Sequence, residues 1–255
     1  MSLATPTVDT HATGHHHPEV RHQFDDLEQQ HDSYSLGMWA FVVQEVMFFS
    51  GMIVCYFIFR YKYPEAFIAG SNHLNLPLST FNTVVLLSSS LTMALAVHAA
   101  QLGHKMRLLQ FLMATLILGS IFLGVKVYEY KDKYDHNLIP GYNFKWETES
   151  TTTEHGEATD EPESLNPALK MPPLAQQVEV FYGLYFILTG AHAIHMVIGA
   201  VIILIIMVLA WYDHFSPNYY VPIEMFGLYW HFVDIVWVFL FPLLYLVDRA
   251  AAGGH

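Results

Sequence analysis

The stretch Leu36–Phe59, LGMWAFVVQEVMFFSGMIVCYFIF, is about 24 residues long and holds one charged side chain, Glu45. About 20 apolar residues in a helix cross a hydrocarbon core of ~30 Å. Lipid offers the backbone no hydrogen bonds, so a lone span must satisfy its own N–H and C=O groups as a helix. Four further apolar runs follow, and the predicted spans are about 36–60, 81–102, 108–129, 178–211 and 226–247. The expected fold is all-α, a polytopic membrane helix bundle with five transmembrane helices over residues 36–249. A polar, His-rich N-terminal tail, 1–35, precedes it, and an acidic extramembrane loop, 131–177, interrupts it.

Composition narrows the function classes. With 53% hydrophobic and 13% charged residues, one membrane bundle accounts for the chain without a second soluble domain. A formal net charge of −12 argues against nucleic acid as a partner. The single cysteine, Cys55, excludes an internal disulfide, a cysteine-ligated iron–sulfur or zinc cluster, and the C-x-x-C-H attachment of a c-type haem. The first 35 residues lack the apolar segment of a signal peptide. His11, His15, His16, His17, His22 and His31 read as a solvated tail, since no cysteine or acid framework closes a metal shell around them.

Local signals organise the spans. Tyr61–Ser79 reads as a connecting loop broken by Pro64, Gly70 and Pro77. The second span carries Asn82, Thr83, Ser88, Ser89, Ser90 and Thr92, side chains that let membrane helices approach and hydrogen-bond, so it reads as interior. The short link Gly103–Arg107 makes the second and third spans an antiparallel hairpin. Lys126 is expected to snorkel to the headgroups, and lies three residues from Glu129, within pairing reach. In 131–177 nine acids outnumber four lysines, and Thr148–Ser164 has no apolar periodicity, so a flexible loop is expected. The fourth span has a small-residue face of Gly183, Thr189, Gly190, Ala191 and Gly199, with His192 and His195 three apart. In the fifth, His231 and Asp234 share a face, so the acid is expected to accept a hydrogen bond from the imidazole; Pro242 is expected to kink the helix.

Glu45 is the most constrained of the polar residues. A lone carboxylate in lipid costs roughly 2.5–3.5 kcal/mol on insertion scales. It must be protonated, face other helices or reach water. Three and four residues away stand Phe41, Phe48 and Phe49. Two readings stay open: a proton- or ion-handling site, or an acid that only assists packing. His192, His195, His231, Asp234 and Glu45 together invite a metal site, because imidazole and carboxylate suit zinc, iron or copper. No pair has the spacing of a ligand motif, however, so no metal is expected; His192, His195, His231, Asp234 and Glu129 read as structural polar groups that pair inside the membrane, and Glu45 as proton-related. Paired broken helices or inverted repeats, which a secondary transporter would need, are not found.

Several motifs resemble one family. They are FDDLEQQ at Phe24–Gln30, LGMW at Leu36–Trp39, EVMFF at Glu45–Phe49, NTVVLLSS at Asn82–Ser89, VYEY at Val127–Tyr130, TGAHAIHMVIG at Thr189–Gly199 and YWHFVDIVW at Tyr229–Trp237. In order and through every span, they resemble subunit III of the haem-copper (cytochrome c) oxidases, in a five-span bacterial form. The resemblance implies a non-catalytic subunit of a proton-pumping terminal oxidase in the bacterial inner membrane. It would carry no cofactor itself, with haem and copper in partner subunits, and would pack on subunit I and through it join subunit II. Membrane lipids and a larger respiratory supercomplex are further implied partners. Glu45 matches the family's intramembrane glutamate and is taken as proton-related; in the family, the subunit supports proton uptake into subunit I and protects the active site during turnover. The longer family form has two further spans at its start, with lipids in a cleft between them and the rest; that pair is absent here. An accessory subunit of a quinol oxidase or nitric oxide reductase shares these motifs, and a free-standing proton or ion carrier is the reading from another class. Family topology puts the N-terminus inside, whereas a count of lysines and arginines favours the reverse.

Overall fold

The computed structural model describes residues 27–141, 144–146, 173–213, 215 and 219–247; the His-rich tail through residue 26 and residues 147–172 of the acidic loop lie outside that range. The described residues form α1 (Leu27–Lys62), α2 (Pro64–Asn72), α3 (Leu76–Gln101), α4 (Lys105–Asp135), α5 (Pro173–Trp211) and α6 (Val221–Tyr245), with no β-strand among them. Five of the helices, all but α2, are long and apolar enough to cross a membrane.

The helices overrun the apolar runs that predict them. α1 begins at Leu27 rather than at residue 36, and α4 runs from Lys105 to Asp135 rather than 108–129. The reason is local: once a helix is nucleated, each further residue adds a hydrogen bond at little cost, so polar flanks extend it until a breaker intervenes. The expected loop Tyr61–Ser79 is corrected by α2. Pro64 occupies the first helical position, where its missing N–H costs nothing, and so starts a helix there instead of merely ending α1. Asn75 then caps α3, its side chain accepting a hydrogen bond from the Leu78 backbone N–H at 3.3 Å.

The hairpin between α3 and α4 is closed by Gly103. With φ of +70° it takes the left-handed conformation; its N–H bonds Ala100 O at 3.0 Å and the His104 N–H bonds Ala99 O at 2.9 Å. This is a Schellman close, and the chain reverses over the three residues between the helices. α3 packs on α4 and α6, α4 on α5, and α2 on α5, while α1 lies along α5 and α6. The residues α1 turns inward, Met38, Val42, Phe49, Met52, Ile53 and Tyr56, recur every three or four positions. Its other face, with Trp39, Val43, Met47, Val54 and Ile58, is exposed, as an outer membrane helix requires.

Two tryptophans fill the centre. Trp230 and Trp237 of α6 are fully buried, and their indole N–H groups donate to Ser89 Oγ at 3.0 Å and Thr83 Oγ1 at 3.1 Å, both on α3. The small-residue face of α5 has a specific use: a Cβ on Gly199 would sit 2.8 Å from the Trp230 ring. Overpacking of this kind costs about 1–3 kcal/mol. Gly199→Ala should therefore lower the thermal midpoint of the detergent-solubilised chain. Gly124→Ala, where a Cβ meets nothing within 4 Å, should leave it unchanged or raise it.

Candidate functional site

Glu45 lies on the inward stripe of α1, one turn before Phe49. Its carboxylate oxygen Oε2 stands 3.0 Å from His195 Nε2 on α5. The other ring nitrogen, Nδ1, lies 2.8 Å from the Ala191 carbonyl one turn back. A carbonyl only accepts, so Nδ1 carries a hydrogen. Nε2 then either accepts from a protonated Glu45 or, as imidazolium, donates to its carboxylate. Both forms are neutral overall, and both hold one proton between Oε2 and Nε2. This shared proton is how an acid is kept in the bilayer without a net charge.

The pair's surroundings are aromatic and nearly closed. Phe49 packs on the imidazole with ring centroids 5.2 Å apart, and Phe48 approaches to 6.2 Å. Tyr229 of α6 donates its hydroxyl to His195 O at 2.9 Å, and its ring meets Phe41 at 5.9 Å. The two side chains keep 13% and 16% of their surface exposed, so the pair is neither sealed in the core nor open to solvent. Within α1 no lysine or arginine precedes Arg60, as the sequence reading has it; the basic partner comes from another helix.

A second polar cluster lies on α4. Lys126 is 3% exposed, so the expectation that it snorkels to the headgroups is corrected. Its Nζ donates to Glu129 Oε2 at 2.8 Å, to the Tyr245 hydroxyl at 3.0 Å and to that of Tyr185 at 3.4 Å. Tyr245 in turn donates to Glu129 Oε1 at 2.6 Å. The ammonium also sits 4.8 Å from the Trp237 ring centroid. Turning inward gives the lysine a carboxylate, two hydroxyls and aromatic faces at once, which the headgroup region would not. Beside it Thr189 donates to Tyr185 O at 2.6 Å, which leaves its oxygen to accept from Tyr130 at 2.7 Å.

The remaining predicted residues do not converge. His231 Nδ1 is 2.7 Å from Ser90 Oγ on α3. Asp234 is 2% exposed and neither carboxylate oxygen has a hydrogen-bond partner among the described residues. The expected His231–Asp234 hydrogen bond is therefore corrected: Ser90, facing α6 from α3, takes the imidazole instead. His192 is fully buried, between Phe122 at 5.5 Å and Trp237 at 5.1 Å, with neither ring nitrogen hydrogen-bonded among the described residues. His192 and His195, three apart, thus serve different neighbourhoods. No group of three or more histidine, cysteine, aspartate or glutamate side chains is placed to hold a metal ion among the described residues. Sequence reading missed Tyr229, Tyr185 and Tyr245, because an aromatic in an apolar run looks like lipid-facing bulk until its hydroxyl is seen to point inward.

Five helices long and apolar enough to span a membrane, with one buried and one partly buried acid–base pair, define a multi-pass membrane protein that carries intramembrane protonatable groups without a closed ligand set among its described residues. The family model described as cytochrome c oxidase subunit III matches residues 14–135 and 173–248. Cytochrome c oxidase subunit 3 of Corynebacterium diphtheriae is 30% identical over 84% of this chain and 88% of its own length. The protein of the same name from Thermostichus vulcanus is 26% identical over 88% of this chain and 92% of its own. That of Papio hamadryas is 26% identical over 84% of this chain and 69% of its own. The chain belongs to the cytochrome c oxidase subunit III family.

Removing one member of a buried pair leaves the other uncompensated, which costs about 3–5 kcal/mol. Lys126→Met should destabilise the chain on that scale, and adding Glu129→Gln should recover part of the loss. Denaturation of the three variants in one detergent measures it; full additivity would show that the two side chains do not act as a pair.

Proposed function

We infer that this chain is the non-catalytic subunit III of a proton-pumping haem-copper terminal oxidase, one that passes electrons from cytochrome c to oxygen. It packs on subunit I, through it meets subunit II, and supports proton uptake and stability. Haem and copper belong to those partners and supply the oxygen chemistry there. What this chain supplies is protein surface and one mobile proton. The observation that carries the reading is the Glu45–His195 pair. A proton shared at 3.0 Å between a carboxylate and an imidazole can pass from one to the other without creating net charge in the bilayer. The curated relatives named above carry cytochrome c oxidase in their names, which favours cytochrome c over quinol as the electron donor. The expected localisation is the bacterial inner membrane.

Affinity purification of the tagged chain from a respiring host, followed by a visible spectrum, tests this reading. An oxidase subunit travels with haem proteins and carries stoichiometric haem and copper only while they are bound. A free proton or ion carrier purifies alone and active, and a quinol oxidase or nitric oxide reductase partner shows itself by its donor in turnover.

Glu45→Gln keeps shape and hydrogen bonding but cannot titrate. The assembled complex should retain most of its oxygen reduction, since the catalytic metals lie elsewhere, while proton uptake, pumping stoichiometry or lifetime over many turnovers falls. Reconstituted vesicles with a pH dye read this directly. Normal pumping and lifetime in Glu45→Gln, beside an unstable Glu45→Ala, would make Glu45 a packing residue only. Asp234→Asn separates the other polar site: its effect should fall on assembly with the oxidase core rather than on the turnover of complexes that form.

A further inference from the structure

The proton between Glu45 and His195 lies between two helices, α1 and α5, so its seat depends on how far apart they stand. On the α5 side the imidazole is tied to its own backbone, with Nδ1 donating to Ala191 O at 2.8 Å. Where that turn of α5 goes, Nε2 goes with it. On the other side Glu45 follows α1, with Phe41 one turn before it and Phe49 one turn after. The pair stands at 3.0 Å. A side-chain hydrogen bond is gone by about 3.6 Å, so a slip of about half an ångström between the helices ends the sharing.

A side chain of α6 touches both helices. Tyr229 is buried, and its hydroxyl donates to His195 O at 2.9 Å, in the same turn that holds the imidazole. Its ring meets Phe41 of α1 at 5.9 Å between centroids, inclined by 45°. The carbonyl does not need that hydroxyl, because inside a helix His195 O is the acceptor for the N–H of residue 199. The bond therefore does more than satisfy the backbone of α5: it pins α5 to α6. The residue at 199 is a glycine, and a Cβ there would come within 3.3 Å of Tyr229 Cε1. Phe49 gives α1 a second rest on α6, its ring 6.2 Å from that of Phe232. Glu45 is thus bracketed by two aromatic rests on α6, and the Tyr229 rest also reaches α5.

We propose that Tyr229 is the positioning residue of the Glu45–His195 pair, its hydroxyl drawing in α5 and its ring bracing α1, so that α6 sets the distance over which the proton is shared. The inference rests on the proton role given to the pair above and adds the residue that tunes it. Tyr229 does not exchange the proton, since its own hydroxyl hydrogen is committed to a carbonyl. It acts through the placement of His195. Without the hydroxyl, the carbonyl keeps its helical partner and the ring keeps Phe41; what is released is the tie between α5 and α6 beside the pair.

Infrared spectra of the purified complex isolate the Glu45 carboxyl as the band present in the unaltered protein and absent from Glu45→Gln. The same subtraction is made within Tyr229→Phe, against the double variant Tyr229→Phe with Glu45→Gln. In Tyr229→Phe the band should move to higher frequency. That direction holds for both forms of the pair. With a neutral acid, a longer hydrogen bond stiffens its C=O; with a carboxylate and an imidazolium, separation leaves charges unpaired in the bilayer and returns the proton to the acid. Proton uptake in reconstituted vesicles should fall by about twofold or more, as misplacing reacting groups does, while oxygen reduction is retained. Phe41→Leu trims the brace from the α1 side; it should move the band the same way, and it decides the matter if Tyr229→Phe fails to assemble. Tyr61→Phe, which removes a hydroxyl from a side chain 92% exposed, should leave band and uptake unchanged. A band left in place by Tyr229→Phe, or moved as far by Tyr61→Phe, overturns the positioning role. The proton role fails separately: normal uptake and pumping in Glu45→Gln removes it, wherever the band of Tyr229→Phe lies.

Discussion

Two indole hydrogen bonds set the geometry of the bundle. In lipid there is no hydrophobic force to press helices together, so close packing and interhelical hydrogen bonds must do it. Trp230 and Trp237 supply both. Each is seven residues from the other on α6, each donates to a hydroxyl of α3, and each fills the space that α4 and α5 would otherwise leave. Gly119 and Gly199 exist to admit Trp230. Trp237 in turn walls in His192 and lies over the Lys126 ammonium. The position of α6 fixes Tyr229, and Tyr229 holds the backbone of His195, the partner of Glu45. The acid–base pair at the edge of the molecule is therefore placed by packing at its centre.

The polar groups inside the bundle follow two different solutions. Lys126 and Glu129 cancel each other within one turn of α4, and tyrosine hydroxyls complete the shell. That arrangement is closed and static: each charged atom already has its partners. Glu45 and His195 also cancel, but across two helices, through one proton, and with part of their surface open. The first arrangement suits a structural brace; the second suits a group that exchanges.

Much of the fold was legible, and the reason is the bilayer. Spans of the required length and apolarity have few alternatives, so the five helices and the α3–α4 hairpin follow from the residues alone. The Lys126–Glu129 pair was legible too, because a spacing of three on a helix implies contact. Its depth was not: the aromatic side chains that draw Lys126 inward come from α5 and α6, more than fifty residues away. The same blindness explains His231 and Asp234. Sharing a face says that two side chains point the same way, not that they meet, and Ser90 on another helix intervened. Pro64 was misread because proline stops one helix and starts another with equal ease, and only the next residues' packing on α5 decides. Family motifs singled out Glu45; His195 as its partner needed coordinates.

The distance along the chain between those two residues has a consequence for biogenesis. His195 is encoded 150 positions after Glu45. At synthesis rates of about 5–20 residues per second, roughly 8–30 s separate their emergence from the ribosome. Through that interval α1 must enter or approach the bilayer with a carboxyl group that has no imidazole to share its proton. It crosses as the neutral acid or waits at the interface until α5 arrives. Lys126 and Glu129, three residues apart, insert already paired. The nascent chain therefore has one span that can dock early and another whose final seat depends on a helix not yet made, and α1 is the segment a membrane insertase would have to hold.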